Sequence, residues 1–341
     1  MFVPRFPVQL GINITSRCNL KCDYCIVCGG DNHIELPNSC LHSILNEAYE
    51  QGIREVTISG GEPFLYPNFL QIIESFLDKF KLSILTNGSC INEKMARSLS
   101  NLNRINYLSI QVSLDGATPS KHDFFRGKGT YDIAINAITN LKKYNVLVGV
   151  NTVIHKDNIN YFHDLLTFLK SMDIKLVKVL PLISMGRARK LKNYILDKQE
   201  WWNLMENRKS FEKEFKMFIL MDSPLEFLVG SSNNIPSPCM AGYLYLGIAP
   251  NGDVFPCPFM MDVTLGNINN DTLADIWTSS TILADLRNIN LLGGSCATCR
   301  FKEGCRGGCR GLSYFLRDNY FCPDPYCPIA DKMISEGRLD R

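Results

Sequence analysis

Runs of apolar residues alternate with amphipathic stretches along the first 215 residues of the chain. Six runs rich in Val, Ile, Leu and Thr predict β-strands: 8–15, 55–59, 82–86, 107–113, 146–154 and 175–181. Helical periodicity between them predicts four helices: 40–52, 68–80, 131–145 and 160–172. Successive β–α units predict a parallel sheet with helical crossovers, either doubly wound or curled into a partial barrel. In both designs the functional groups gather at the carboxyl ends of the strands.

The pattern changes after about residue 225. Residues 231–239, SSNNIPSPC, resemble a linker, and the chain beyond them is rich in Gly, Pro and Cys and has few periodic helices. We therefore predict an α/β domain over residues 1–225, a linker over 226–238, and a small domain with a C-terminal tail over 239–341. We expect metal clusters to hold this small domain together.

Composition narrows the class of protein. The chain has 341 residues, of which 45% are hydrophobic, and a net charge of +2, which argues against a nucleic-acid or acidic-membrane partner bound by bulk charge. It has no apolar run long enough for a membrane span and no signal peptide, so we expect a cytoplasmic protein. In a reducing cytoplasm, fourteen cysteines at short spacings indicate metal binding rather than disulfides.

Three cysteines follow the first predicted strand at the spacing C-x3-C-x2-C: Cys18, Cys22 and Cys25. Three thiolates around a four-iron cluster leave one iron without a protein ligand, and that iron is free to bind a substrate or cofactor. A structural zinc ion prefers four protein ligands, and Cys28 could supply the fourth. The spacing alone does not distinguish a four-iron cluster from a zinc site.

The stretch CNLKCDYC, residues 18–25, resembles the signature of the radical S-adenosylmethionine (SAM) enzymes. The resemblance implies that Cys18, Cys22 and Cys25 hold a 4Fe–4S cluster and that SAM chelates the remaining iron. One electron from the cluster would cleave SAM to a 5′-deoxyadenosyl radical, which abstracts hydrogen from the substrate. Tyr24 would pack near the adenine, and Cys28 would not be a ligand. The implied fold is a partial (β/α)6 TIM barrel.

Motifs at the ends of later strands extend the resemblance: SGGEP (59–63), TNG (86–88), VSLDG (112–116), HDFFRG (122–127) and PLISMGRA (181–188). Glu62 would contact the SAM amino group and Ser113 the carboxylate. Asp115 would lie near the ribose, and Arg126 is a planar donor suited to a carboxylate. The full set expected to bind SAM is Tyr24, Ser59, Gly60, Gly61, Glu62, Pro63, Thr86, Asn87, Ser113, Asp115, Arg126 and Asn151.

A second set of cysteines lies in the C-terminal part: Cys239, Cys257, Cys296, Cys299, Cys305, Cys309 and Cys327. The four between 296 and 309 would by themselves suggest zinc, but the full order resembles the SPASM extension of radical SAM enzymes. That extension binds two auxiliary 4Fe–4S clusters, which gives three clusters and SAM as the expected cofactors.

The resemblance divides these seven cysteines into two groups. Cys296, Cys299, Cys305 and Cys327 would hold the outer cluster, and Cys239, Cys257 and Cys309 the inner one. Fully ligated relatives have another cysteine shortly before the position of Cys239, and none lies between Cys90 and Cys239 here. The fourth iron of the inner cluster would be open to substrate or bound by Cys322 or a non-cysteine ligand.

SPASM relatives commonly modify peptides, so the resemblance implies oxidation or cross-linking of a ribosomally made peptide. No leader-recognition domain precedes the barrel, and we therefore expect a separate recognition protein or a dispensable leader. A flavodoxin or ferredoxin would supply low-potential electrons. One alternative is a radical modification of a small molecule such as a tetrapyrrole side chain. A second is a non-catalytic zinc-ribbon or electron-transfer protein.

Overall fold

A computed structural model describes residues 4–229 and 239–330. Ten strands of the described residues form one sheet: β1 (Gln9–Thr15), β2 (Glu55–Gly60), β3 (Lys81–Thr86), β4 (Leu108–Ser113), β5 (Leu147–Ile154), β6 (Leu176–Pro181), β7 (Phe218–Met221), β8 (Tyr245–Ile248), β9 (Asp253–Phe255) and β10 (Gly266–Asn267). Their order is β10-β9-β8-β1-β2-β3-β4-β5-β6-β7. The strands from β8 to β7 are parallel, and β9 and β10 are antiparallel. All six predicted strands are confirmed.

The helices of the described residues fall into two groups, of which α1 to α7 connect the parallel strands β1 to β7 and α8 to α11 follow the last strand. They are α1 (Asn38–Glu50), α2 (Phe69–Phe76), α3 (Glu93–Leu102), α4 (Pro119–Arg126), α5 (Thr130–Lys143), α6 (Phe162–Ser171), α7 (Lys198–Phe215), α8 (Leu273–Ser279), α9 (Thr281–Arg287), α10 (Lys302–Cys305) and α11 (Arg310–Arg317). The four predicted helices are present with slightly shifted ends. In the longest helix, α7, Asp197 and Glu200 form a capping box that fixes its start.

Alternate residues of each strand form the hydrophobic core with the helices. Leu10, Ile12 and Ile14 of β1 and the corresponding residues of β2 to β6 are buried in one continuous apolar cluster. Side chains alternate between the faces of a strand, so the residues in between point to the opposite, inner face of the sheet. This one-sided packing gives the partial α/β barrel that the sequence predicts.

The inner face of the barrel is polar. Its residues are mostly Ser, Thr, Gly, Asn and Gln: Gly11, Asn13, Thr57, Ser59, Ser83, Ser109, Gln111, Ser113, Gly149 and Asn151. A closed TIM barrel normally fills this space with bulky branched side chains. The small polar side chains leave a hydrophilic concave surface below the carboxyl ends of the strands.

Four strands of the sheet were not predicted. The short strand β7 extends the sheet beyond β6, and β8 pairs with β1 from Gln9↔Tyr245 to Ile12↔Ile248. The short strands β9 and β10 continue the sheet beyond β8. The Cys-rich C-terminal part is therefore joined to the barrel by backbone hydrogen bonds. Of the predicted linker, residues 230–238 lie outside the described part of the chain, and so do residues 331–341 of the tail.

No helix in the described ranges is both long enough and apolar enough to cross a bilayer.

Candidate active site and auxiliary thiol groups

Cys18, Cys22 and Cys25 lie in the loop that follows β1. Backbone amides donate to two of the sulfurs, from Leu20 to Cys18 Sγ at 3.5 Å and from Gly29 to Cys25 Sγ at 3.4 Å. Burial raises the pKa of Cys18 to about 11, and the neighbouring thiols of Cys22 and Cys25 raise it as well. The structure therefore brings the three thiols together at the carboxyl end of the first strand.

Cys28 lies in the same loop with a backbone φ of 51°, in the left-handed region that few non-glycine residues adopt. Its sulfur is 4.0 Å from the carbonyl oxygen of Cys25, and its thiol lies near the Arg187 guanidinium. The turn at Cys28 positions the next residue, Gly29, whose amide donates to Cys25 Sγ. Cys28 thus has a backbone role in the loop that needs no metal.

The loop after β6 holds the cysteine loop in place. Arg187 Nε donates to the Cys22 carbonyl at 2.8 Å, and its Nη1 donates to the Gly29 carbonyl at 3.1 Å and to Asp31 Oδ2 at 2.9 Å. A Cβ at Gly186 would lie 2.5 Å from the Cys25 carbonyl oxygen. Arg187 lies in the PLISMGRA motif but was not predicted as a site residue, because an isolated arginine gives no signal of a partner 156–165 residues away.

The SGGEP and TNG motifs meet beside the cysteine loop. A Cβ at Gly61 would lie 2.1 Å from the Arg17 carbonyl oxygen, so only glycine allows this approach. The fully buried Glu62 carboxylate accepts hydrogen bonds from Thr86 Oγ1 and the Asn87 amide, both at 2.8 Å. Burial raises the pKa of Glu62 to about 7, although these hydrogen bonds lower it. The two motifs thus place a buried carboxylate next to the thiols.

Ser113 and Asn151 are neighbours on the inner face at the ends of β4 and β5, where they are paired in register. Asn151 Oδ1 is buried and has no hydrogen-bond partner among the described residues. A buried acceptor without a partner is costly unless a ligand satisfies it. This pair therefore fits a polar ligand that lies across the strand ends.

Asp115, Arg126 and Tyr24 form a buried network. Arg126 Nε donates to Asp115 Oδ2 at 2.6 Å and Nη2 to Oδ1 at 3.2 Å, while the Tyr24 hydroxyl donates to Oδ2 and the Val153 amide to Oδ1. Burial raises the pKa of Asp115, but the Arg126 charge offsets this, and the net shift is downward. Asp115 and Arg126 thus bind each other in this structure. The contacts with SAM that were expected of these two residues remain predictions.

Cys239, Cys257 and Cys309 form an inner thiol group beside the sheet. Burial raises the pKa of Cys309, and the charges of Cys239 and Cys257 contribute to that rise. Backbone amides donate to sulfur here as well, from Phe259 to Cys257 Sγ at 3.4 Å and from Leu312 to Cys309 Sγ at 3.5 Å. Cys239 precedes β8, Cys257 follows β9 and Cys309 caps the start of α11, yet the three residues share one site.

Cys296, Cys299, Cys305 and Cys327 form an outer thiol group. Burial raises the pKa of Cys296 to about 12, with further contributions from Cys327, Cys305 and Cys299. Backbone amides of Gly307 and Gly308 donate to Cys305. Cys322 is half-buried, and its amide donates to the Asn319 carbonyl at 3.4 Å.

The donor sets fit iron–sulfur clusters. Within residues 4–229 and 239–330, no three His, Cys, Asp or Glu side chains lie close enough together to share one metal ion. The thiolates of a four-iron cluster each bind a different iron, so they need not converge on one ion. Backbone amides that donate to the sulfurs favour the thiolate form that binds iron.

A partial parallel barrel with a group of three thiols at its strand ends is the arrangement expected of an iron–sulfur enzyme. A profile of the Radical SAM superfamily matches residues 12–169, and a profile of an iron–sulfur cluster-binding domain, SPASM, matches residues 239–300. The chain therefore carries a radical SAM domain and a SPASM domain. It is therefore an enzyme that uses SAM and iron–sulfur clusters, which excludes the non-catalytic alternative.

Curated relatives are similar along nearly the whole chain. The mycofactocin maturase MftC of Mycobacterium tuberculosis is 27% identical, covering 94% of this chain and 83% of its own. The PqqA peptide cyclase of Gluconobacter oxydans is 25% identical over 97% of this chain and 93% of its own. The Fe-coproporphyrin III synthase of Methanosarcina barkeri is 26% identical over 94% of this chain and 88% of its own.

Solved structures share the fold. SuiB of Streptococcus suis bound to S-adenosylmethionine superposes with a TM-score of 0.80 at 19% identity, covering 96% of this chain and 78% of its own. Another crystal structure of SuiB, bound to its precursor peptide SuiA, gives a TM-score of 0.79 at 20% identity over 96% and 76%. At this identity the likeness shows the fold alone.

The Arg187→Met variant tests the contact between the β6 loop and the cysteine loop. We expect the catalytic site to lose iron several-fold faster under a chelator, because two carbonyls and Asp31 lose their shared donor. Arg189→Met, at an exposed position two residues away, is the matched control. Equal rates of iron release from both variants would contradict the role of Arg187 in holding the cysteine loop.

Glu62 makes stability depend on pH. Its pKa is about 7 in the native state and 4.5 when unperturbed, so the native state holds the proton more tightly between these values. The contribution of Glu62 is therefore present below pH 4.5 and is lost as the pH rises through about 7. We expect the unfolding midpoint of the parent to fall relative to Glu62→Gln between pH 5 and pH 8.

Thermal unfolding at both pH values measures this difference. Glu50→Gln, at an exposed position, is the control and should keep a constant offset from the parent. A parent and Glu62→Gln that differ equally at both pH values would show that Glu62 has no raised native pKa.

Proposed function

We propose that the protein is a peptide maturase with three 4Fe–4S clusters, which oxidises or cross-links a ribosomally made peptide. The observation that carries the proposal is the grouping of ten thiols into sets of three, three and four, the first of them at the mouth of a polar barrel. A set of three thiols leaves one iron for SAM, whereas the set of four closes its cluster.

Cys18, Cys22 and Cys25 would hold the catalytic cluster. With SAM bound, this cofactor pair supplies one-electron cleavage of SAM and removal of a hydrogen atom from the substrate. Glu62 offers its carboxylate to the SAM amino group, and Ser113 and Asn151 offer polar atoms beside it. Thr86 and Asn87 already hold the Glu62 carboxylate in place, so its part in binding requires little reorganisation.

The Asp115–Arg126–Tyr24 network fixes the walls of this site. Tyr24 belongs to the cysteine loop, Arg126 to the end of α4, and Asp115 to the end of β4. The buried ion pair and its hydrogen bonds thus connect three segments that surround the SAM position. These residues orient the site and exclude water from it, which are the protein's tasks in cofactor chemistry.

The polar inner face provides the substrate space. Lys178 of β6 and Asp222 after β7 lie on this face, with Lys178 Nζ 3.7 Å from Asp222 Oδ2. Their charges act on the thiol of Cys257, and Asn13 Nδ2 of the facing β1 lies 3.6 Å from Met261 Sδ. The space therefore extends from the catalytic thiols toward the inner auxiliary group.

The chemistry of this space favours a peptide over a tetrapyrrole. Amide and hydroxyl side chains match the alternating donors and acceptors of a peptide backbone. A tetrapyrrole carboxylate needs cations, and Lys178 is already paired with Asp222. The name of the PqqA peptide cyclase and the SuiB–SuiA complex also support a peptide, whereas the Fe-coproporphyrin III synthase represents the alternative.

The auxiliary clusters complete the proposal. Cys296, Cys299, Cys305 and Cys327 would close the outer cluster, while Cys239, Cys257 and Cys309 would leave one inner iron to substrate, Cys322 or a non-cysteine ligand. A flavodoxin or ferredoxin in the cytoplasm would reduce the enzyme. A separate leader-recognition protein would present the peptide.

Two cysteine variants test the assignment of the catalytic ligands. We expect Cys25→Ala to abolish reductive SAM cleavage, because a cluster with two thiolates is not retained. Cys28→Ala should keep at least half of the parent rate, since its thiol is not a ligand. The 5′-deoxyadenosine formed with dithionite and SAM measures both, and loss of the cluster in Cys28→Ala would instead indicate a four-cysteine site.

The substrate class is tested by mass spectrometry. The reduced enzyme is incubated with SAM and either a candidate ribosomal precursor peptide or Fe-coproporphyrin III. We expect a loss of hydrogen mass from the peptide and no change in the porphyrin. Modification of the porphyrin alone would replace the peptide proposal with the small-molecule alternative.

A further inference from the structure

Arg310 is a buried cation with unused hydrogen-bond donors. It begins helix α11 directly after Cys309 and is only 3% exposed. Its Nη1 donates to the Arg306 carbonyl at 3.4 Å, but Nε and Nη2 have no hydrogen-bond partner within the described part of the chain. Buried donors without partners are unfavourable, and more so when the group is charged.

The guanidinium lies between the two auxiliary thiol groups. Its charge acts on Cys239 of the inner group and on Cys296 of the outer group. The Arg310 backbone amide also donates to Cys239. The centroid of the Phe321 ring lies 5.3 Å from the guanidinium carbon of Arg310. The side chain is thus held beside both groups by the start of the helix.

No carboxylate of residues 4–229 or 239–330 forms an ion pair with Arg310. The buried acid Asp324, which lies beside Cys309, accepts hydrogen bonds from the backbone amides of Cys309 at 2.7 Å and Tyr326 at 2.8 Å. An unpaired buried charge is strongly unfavourable, so a counter-charge is needed. Four-iron clusters with thiolate ligands are anions and provide that counter-charge on both sides.

We infer that Arg310 tunes the auxiliary clusters: its Nε and Nη2 donate to cluster or thiolate sulfur, and its charge raises the reduction potential. The inference rests on the proposed auxiliary clusters. One-electron reduction adds a negative charge to a cluster, and a nearby cation stabilises that state more than the oxidised one. Hydrogen bonds to sulfur act in the same direction. Arg310 is a positioning residue, because it acts through the clusters rather than on the substrate.

Redox titration of the reconstituted full chain, followed by electron paramagnetic resonance, tests this role. We expect Arg310→Gln to disfavour reduction of an auxiliary cluster about tenfold, which lowers its potential by about 59 mV. Arg310→Lys keeps the charge and should stay closer to the parent. Arg317→Gln removes the same charge from an exposed position two turns along α11 and should leave the potentials unchanged.

The outcomes separate this inference from the function on which it depends. A parent chain without auxiliary iron would overturn the proposed clusters themselves. A parent with both clusters and an Arg310→Gln variant of unchanged potentials would overturn only the role of Arg310. If the Arg310→Gln variant loses auxiliary iron, the Arg310→Lys variant is the deciding measurement. An Arg310→Lys variant with full iron and near-parent reduction potentials supports the inference. An Arg310→Lys variant whose cluster reduction is disfavoured tenfold, despite the retained charge, contradicts it.

Discussion

The packing of one face of the parallel sheet against the helices is the interaction on which the rest of the structure depends. Leu, Ile and Val side chains on alternate positions of β1 to β6 fill the space below the helices. Because this packing fixes which side chains of each strand face the helices, it also fixes which polar side chains lie on the inner face of the barrel. The same register brings the carboxyl ends of the strands, and the loops that follow them, to one edge.

Close contacts between loops turn that edge into a site. Gly61 allows the strand-end turn after β2 to approach the cysteine loop, and Gly186 allows the loop after β6 to do the same from the other side. The buried Asp115–Arg126 pair then connects the ends of β4 and α4 to Tyr24. A small buried apolar cluster of Tyr24, Phe125, Leu182, Ala188 and Leu191 packs the same loops together, so the order of the site depends on both the polar and the apolar contacts.

The sequence predicts the parts of the molecule that local patterns encode. The alternation in LSIQVS predicts β4, and the resemblance of CNLKCDYC to the radical SAM signature predicts an open cluster site at Cys18, Cys22 and Cys25. Non-local pairing is not encoded in this way: β8 pairs with β1 across more than 200 residues, and Arg187 contacts Cys22 across 165. The pairing of Asp115 with Arg126 was missed because both residues match expected ligand contacts, and only the structure shows them bound to each other.

The metal and sulfide content of the anaerobically reconstituted protein shows whether the three thiol groups hold three four-iron clusters. We expect about twelve irons and a similar amount of acid-labile sulfide in the parent chain. A variant with alanine at Cys18, Cys22 and Cys25 should lose about four of those irons and keep the rest. Zinc without sulfide in the parent, or an iron content that is unchanged in the variant, would rule out this arrangement of clusters.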